Sequence, residues 1–125
     1  AMGMPLIVEL LRRDAVEGLV CKVQKMGGIH YARQLCDFAR NAGITLIGSG
    51  LMDAPIGFAA SVHVFAAYGI GYPADLNGPQ HLADDYLAAP LPRDGQMALV
   101  PEAPGLGCLI DEAKVRGELR LDLVL

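Results

Sequence analysis

Twice in the first half of the chain, a short apolar run of β-forming residues gives way to a segment with helical periodicity. "GLVCKV" leads to "GGIHYARQLCDFARNAG", and "ITLIGSG" leads to "PIGFAASVHVFAAY". Strands separated by single helices cannot pair as hairpins, because a parallel partner needs a crossover. The alternation therefore calls for an α/β fold with parallel strands. A further helix, "PLIVELLRRD" (Pro5–Asp14), precedes the first strand. Pro5 suits its first turn, and Leu6, Leu10 and Leu11 share one face with Val8 beside it.

The first strand is read as Leu19–Val23. The helix that follows starts near His30, with Tyr31, Leu35, Phe38 and Ala42 at helical spacing and Gly43 as its stop. The second strand is Ile44–Gly50 and "LMDAP" is a loop. The helix Pro55–Tyr68 is apolar nearly all round, which predicts burial on more than one side. After Gly69 the texture changes to turns: a short strand near Ala74–Leu76, a short helix begun by Pro79, a turn at "PLPRDG", a strand at "QMALVP", and a loop before a helix in "EAPGLGCLIDEAKVRG". "ELRLDLVL" alternates as a half-buried strand or tail would. The expected division is 1–3 as a cloning remnant, 4–78 as β/α units, and 79–125 as a helix and strand extension.

With 125 residues, one domain is expected. Hydrophobic residues make up 53% of the chain, yet no run is long and apolar enough to cross a membrane. The net charge of -4 with scattered lysines and arginines argues against nucleic acid. Cys21, Cys36 and Cys108 lie far apart without metal-ligand spacing, and fit small buried hydrophobes in a reducing cytoplasm.

Lys22 stands out. Alternation along a strand sets Leu19, Cys21 and Val23 on one face and Val20 and Lys22 on the other. The C-terminal end of a parallel strand is where α/β folds bind ligands, and a lysine there can act as a proton-transfer base. Spacing alone favours a lysine snorkelling at a sheet edge. Gly27 and Gly28 permit a tight turn at a helix start able to hold an anion, or they form a plain βα turn. Asp53 is either a carboxylate at the mouth of the fold or part of a helix N-cap, the cap being the safer reading. His30 belongs in a first helical turn, and His63 fits a satisfied core histidine. His81 with Asp84 and Asp85 has helical i, i+3, i+4 spacing, which a solvated face explains equally well. No zinc motif, nucleophile elbow or P-loop is present.

"KVQKMGGIHYARQLCDFARNAGITLIGSGLMDAPIGFAASVHVFAA" and the later "PEAPGLGCLIDEAKV" resemble the mandelate racemase and muconate lactonizing enzyme family of the enolase superfamily, in order and spacing, from Met4 to about Val115. The resemblance implies part of a TIM-type (β/α) barrel, roughly strands six to eight with their helices plus a C-terminal extension. It implies proton abstraction α to a carboxylate, with Mg²⁺ stabilising the enolate in the full-length family. Lys22 matches the acid/base lysine ending the sixth strand. Asp53 falls where a glutamate often follows the seventh, and Lys25 matches a second basic residue expected to be outward or structural.

The opposite lysine, the three metal-binding carboxylates and the capping domain have no counterpart in these residues, and a complete barrel takes about 250. The sequence thus predicts no metal site and no cofactor for this chain alone, and no catalysis by it. A homodimer closing the exposed barrel face or sheet edges is the expected partner arrangement. Complementation by another chain, or a small module that self-associates or holds a phosphate or carboxylate at its glycine-rich turns, are the alternatives.

Overall fold

The computed structural model describes residues 3–118, and the expected strand or tail at the C-terminus lies largely outside them. The order is α1 (Met4–Arg12), β1 (Gly18–Cys21), α2 (Val23–Met26), α3 (Ile29–Ala42), β2 (Thr45–Gly48), α4 (Pro55–Tyr68), a single 3-10 turn (Pro79–His81), β3 (Arg93–Asp94), β4 (Met97–Ala98) and α5 (Glu112–Glu118).

β1 and β2 are parallel, with Leu19 opposite Leu46 and Val20 opposite Ile47. Beyond β2 the next parallel element is reduced to one bridge, Ser49 to Asp75, where the sequence pointed to a short strand. The pleat divides the sheet as alternation requires. Leu19 and Cys21 are buried beneath the helices, whereas Val20 is 54% and Ile47 38% exposed on the opposite face. Among the described residues, helices cover only one side of this sheet.

The core joins Ile7 of α1, Leu19 and Cys21 of β1, Val23 of α2, Leu35 and Cys36 of α3, and Val64 and Phe65 of α4. Each large apolar side chain buried here contributes roughly 1.5–3 kcal/mol. α4 buries residues around its whole circumference, from Pro55 and Ala59 to Val62 and Phe65, as its uniformly apolar sequence requires. Phe65 lies so close to β2 that a Cβ on Gly48 would come within 2.6 Å of its ring. Cys21 and Cys36 are core thiols. The hydrogen bond between them, then burial, pushes Cys21 up, and the same bond holds Cys36 lower.

Several expectations need correction. β1 ends at Cys21, because the Lys22 carbonyl already accepts a helical bond from Met26 N–H at 3.0 Å and Val23 opens α2. In α3 the buried stripe is Ala32, Leu35, Cys36 and Ala39, while Tyr31 is 53% exposed. Small residues let α3 approach the sheet and α4 closely, so the stripe follows them rather than the aromatics. The helix expected after Pro79 stops after three residues, and His81, Asp84 and Asp85 share no helical face. The strand expected at "QMALVP" shrinks to Met97–Ala98, folded back on Arg93–Asp94 as a hairpin. No helix among the described residues is long and apolar enough to cross a membrane.

Candidate functional site

Because β1 and β2 run in parallel, the residues that follow them emerge at the same end of the sheet. Lys22 follows β1, and Ser49 and Gly50 follow β2. Lys22 keeps extended backbone angles (φ -120°, ψ 109°), so its side chain leaves opposite the buried Cys21 and Val23. It is half-buried, and its Nζ donates to the Gly50 carbonyl at 2.7 Å. The ammonium group is thus fixed over the end of the neighbouring strand, within the fold and not out in solvent at an edge.

Asp53 sits in the loop that carries Gly50. It is 2% exposed; Oδ1 accepts the Leu51 N–H at 3.0 Å, and Oδ2 is buried with no hydrogen-bond partner. That oxygen lies beside Gly50, where an added Cβ would stand 2.9 Å from it. Gly50 therefore touches both groups: its carbonyl meets Lys22 and its Cα faces Asp53. The N-cap reading of Asp53 does not hold, since the cap of α4 is Ala54 and no side chain caps that helix. Lys25 is exposed, as the resemblance implied.

The segment that fixes this loop reads from sequence as a short strand and turn, without its role at the site. Asp75 N–H donates to the Gly48 carbonyl at 3.0 Å, and Gly50 N–H donates to the Asp75 carbonyl at 2.7 Å. Ser49 Oγ donates to Asp75 Oδ2, while Asn77 receives Met52 N–H on its side chain and Asp53 N–H on its carbonyl. Gly78 has φ +151°, and a Cβ there would overlap the Asp53 backbone, so only glycine fits. The signal was "DLNG", a short strand run ending in Asn-Gly, which by itself says turn and not buttress.

Gly27 and Gly28 use their amides within the turn. Gly27 N–H donates to the Gln24 carbonyl and Gly28 N–H to the Val23 carbonyl, with Gly27 left-handed at φ 93°. An anion at the start of α3 would meet the next amides, from Ile29 onward. His30 contacts Gln34 on the surface, and His63 meets the Leu106 carbonyl at 3.2 Å, a satisfied histidine.

Mg²⁺ takes near-octahedral oxygen ligands, usually including one or more carboxylates. The donor set at the mouth does not fit that requirement. It offers Asp53, with one oxygen taken by the Leu51 N–H and the other buried, and Asp75, whose oxygens accept from Ser49 and Asn77, with the Lys22 ammonium group held on the Gly50 carbonyl; no described cluster of three or more His, Cys, Asp or Glu could hold a metal.

A family model described as "Enolase C-terminal domain-like" matches residues 3–114. Muconate cycloisomerase 1-1 of Acinetobacter lwoffii is 31% identical over 117 residues, covering 93% of this chain and 31% of that protein. Muconate cycloisomerase 1 of Rhodococcus opacus is 38% identical over 102 residues, covering 80% and 27%. Among solved structures, muconate cycloisomerase from Pseudomonas fluorescens superposes with a TM-score of 0.80 at 32% identity, covering 87% of this chain and 30% of that one. N-succinyl Arg/Lys racemase from Bacillus cereus superposes with a TM-score of 0.83 at 25% identity, covering 94% and 31%. The chain thus spans about a third of the length of the relatives it matches.

Proposed function

This chain belongs to the enolase C-terminal domain-like family, and on that premise we propose that it carries the Lys22 side of a proton-transfer site of the racemase and cycloisomerase type, acting on a small carboxylate. One observation carries the reading: Lys22 Nζ is held at 2.7 Å by the Gly50 carbonyl at the C-terminal end of the parallel strands, beside the buried Asp53. A general acid or base must be fixed within hydrogen-bond reach of the proton it moves. The Gly50 carbonyl aims the ammonium group, the Asp75–Gly78 segment fixes Gly50, and Asp53 supplies a carboxylate in the same loop. Lys22 holds or moves the proton, and Lys25 stays outside.

The proposal stops short of turnover by this chain alone. A proton α to a carboxylate is too weakly acidic for a lysine unless the enolate charge is stabilised, and these residues do not fit the ion that supplies such stabilisation in the resembled family. Soluble residence in a reducing cytoplasm accords with the three free cysteines. The test is an assay of the chain with muconate and Mg²⁺, followed by ultraviolet absorbance, and with muconolactone and Mg²⁺, followed by deuterium exchange from solvent at the carbon α to its carboxylate. Neither consumption nor exchange above a protein-free control is expected. Turnover that disappears in Lys22→Met would confirm the role of Lys22 and overturn the claim of inactivity.

A further inference from the structure

The peptide group between Gly50 and Leu51 stands between two ionisable side chains. Its carbonyl accepts from the Lys22 ammonium group at 2.7 Å, and its N–H, on Leu51, donates to Asp53 Oδ1 at 3.0 Å. In a trans peptide the C=O and N–H point in opposite directions in one plane, so Lys22 and Asp53 hold it from opposite edges. No direct ion pair joins the two among the described residues. Their link runs through the peptide. Hydrogen bonds in a chain polarise one another, and more so where water is excluded. A peptide whose N–H is drawn by an acceptor therefore presents a more strongly negative carbonyl oxygen. Asp53 is 2% exposed, and with Oδ2 unpartnered its side chain makes no other hydrogen bond among the described residues.

A second donor lies within reach of the same carbonyl. The buried Ser49 hydroxyl sits 3.2 Å from the Gly50 oxygen and 3.1 Å from Asp75 Oδ2. It has one proton to donate and serves one acceptor at a time. A carboxylate is the stronger acceptor, so Asp75 draws the hydroxyl away and leaves the Gly50 carbonyl to Lys22. Asp75 and Asp53 thus act on that carbonyl in different ways: one diverts a competitor, and the other strengthens the acceptor. The loop has main-chain supports besides the Asp53 side chain. Gly50 N–H donates to the Asp75 carbonyl at 2.7 Å, and Asp53 N–H to the Asn77 carbonyl at 3.2 Å.

We infer that Asp53 is a positioning residue for Lys22, acting through the Gly50–Leu51 peptide. The word positioning rests on the proton-transfer role proposed for Lys22; the coupling does not, and it is read without substrate. The test follows solvent exchange of the Lys22 ammonium protons and the Gly50 carbonyl-carbon shift in the intact, isotopically labelled chain. Asp53→Asn keeps an oxygen for the Leu51 N–H but removes the pull of a carboxylate. It is expected to speed Lys22 exchange about twofold and to move the Gly50 carbonyl signal, while the Gly50 and Asp53 amides keep their protection. Asp53→Ala leaves the N–H without its acceptor and is expected to speed Lys22 exchange about tenfold. Ser49→Ala removes only the competitor and leaves Lys22 exchange at its original rate. Lys22 exchange and a Gly50 carbonyl unmoved by Asp53→Asn overturn the inference. So does a loss of Gly50 and Asp53 amide protection in that variant, since Asp53 would then only shape the loop. If muconate fails to shift Lys22 while the Asp53 effect stands, the substrate assignment falls and the coupling holds.

Discussion

Residues 4–78 and the region after Pro79 differ in how they are held. The first has parallel strands, helices packed on one face, and a core running from Ile7 to Phe65. The second has one 3-10 turn, a hairpin with two residues per strand, and the helix Glu112–Glu118. Its links are sparse. Leu87 bridges Ile110, Lys114 pairs with Asp84 at 3.2 Å, and Leu106 reaches the main core. Leu109 is 78% and Met97 62% exposed. A segment with no face of its own to bury takes its form from what it lies against, and here it lies against little.

The contrast can be broken most strongly from the core side. Phe65→Ala removes the ring that packs on Gly48 and is expected to cost about 3–5 kcal/mol, read as a large fall in the urea midpoint for the whole chain. Gly78→Ala strikes the seam between site loop and buttress. The overlap with Asp53 and the positive φ are expected to cost about 1–3 kcal/mol, with amide shifts centred on Leu51–Asp53. Unchanged shifts there would remove the buttress from the account.

Lys114→Ala acts only in the second region. Faster hydrogen exchange in α5 and residues 84–88, with the urea midpoint unmoved, is the expected result. A global loss of stability would show that the two regions are not distinct. Acid gives the mildest perturbation. The N–H of Asp85 first, and Lys114 second, hold the Asp84 carboxyl below its ordinary value. A depressed value favours the folded contact above the unfolded value of about 3.9, and the benefit is lost as pH falls through the lower folded value. Protection of the α5 amides, relative to their intrinsic exchange rate at each pH, is therefore expected to fall below about pH 4, before the core responds. Asp84→Asn should flatten that dependence.

The same division separates what the sequence made legible from what it hid. Pro55–Tyr68 was readable to the residue, because its proline start and glycine stop bracket a uniformly apolar run. The parallel pairing followed from alternation. The buried stripe of α3 was misread because large residues draw attention, while Ala32, Cys36 and Ala39 make the close contact. After Pro79 the local pattern suggested a helix and a strand, but helical spacing without a surface to pack on does not sustain a helix. At the site, Lys22 stood out as a charge on an apolar strand. The carbonyl that holds it and the Asn77 behind the loop did not, because backbone groups and turn residues carry no distinctive spacing.

On the function proposed above, a small carboxylate meets this chain at Lys22. The most direct measurement is a titration of the isotopically labelled chain with cis,cis-muconate, followed by amide and lysine side-chain chemical shifts. Saturable shifts confined to Lys22, Ser49–Asp53 and Asp75–Gly78 are expected, and their loss in Lys22→Met. Shifts that gather elsewhere, or that persist unchanged in Lys22→Met, would contradict it.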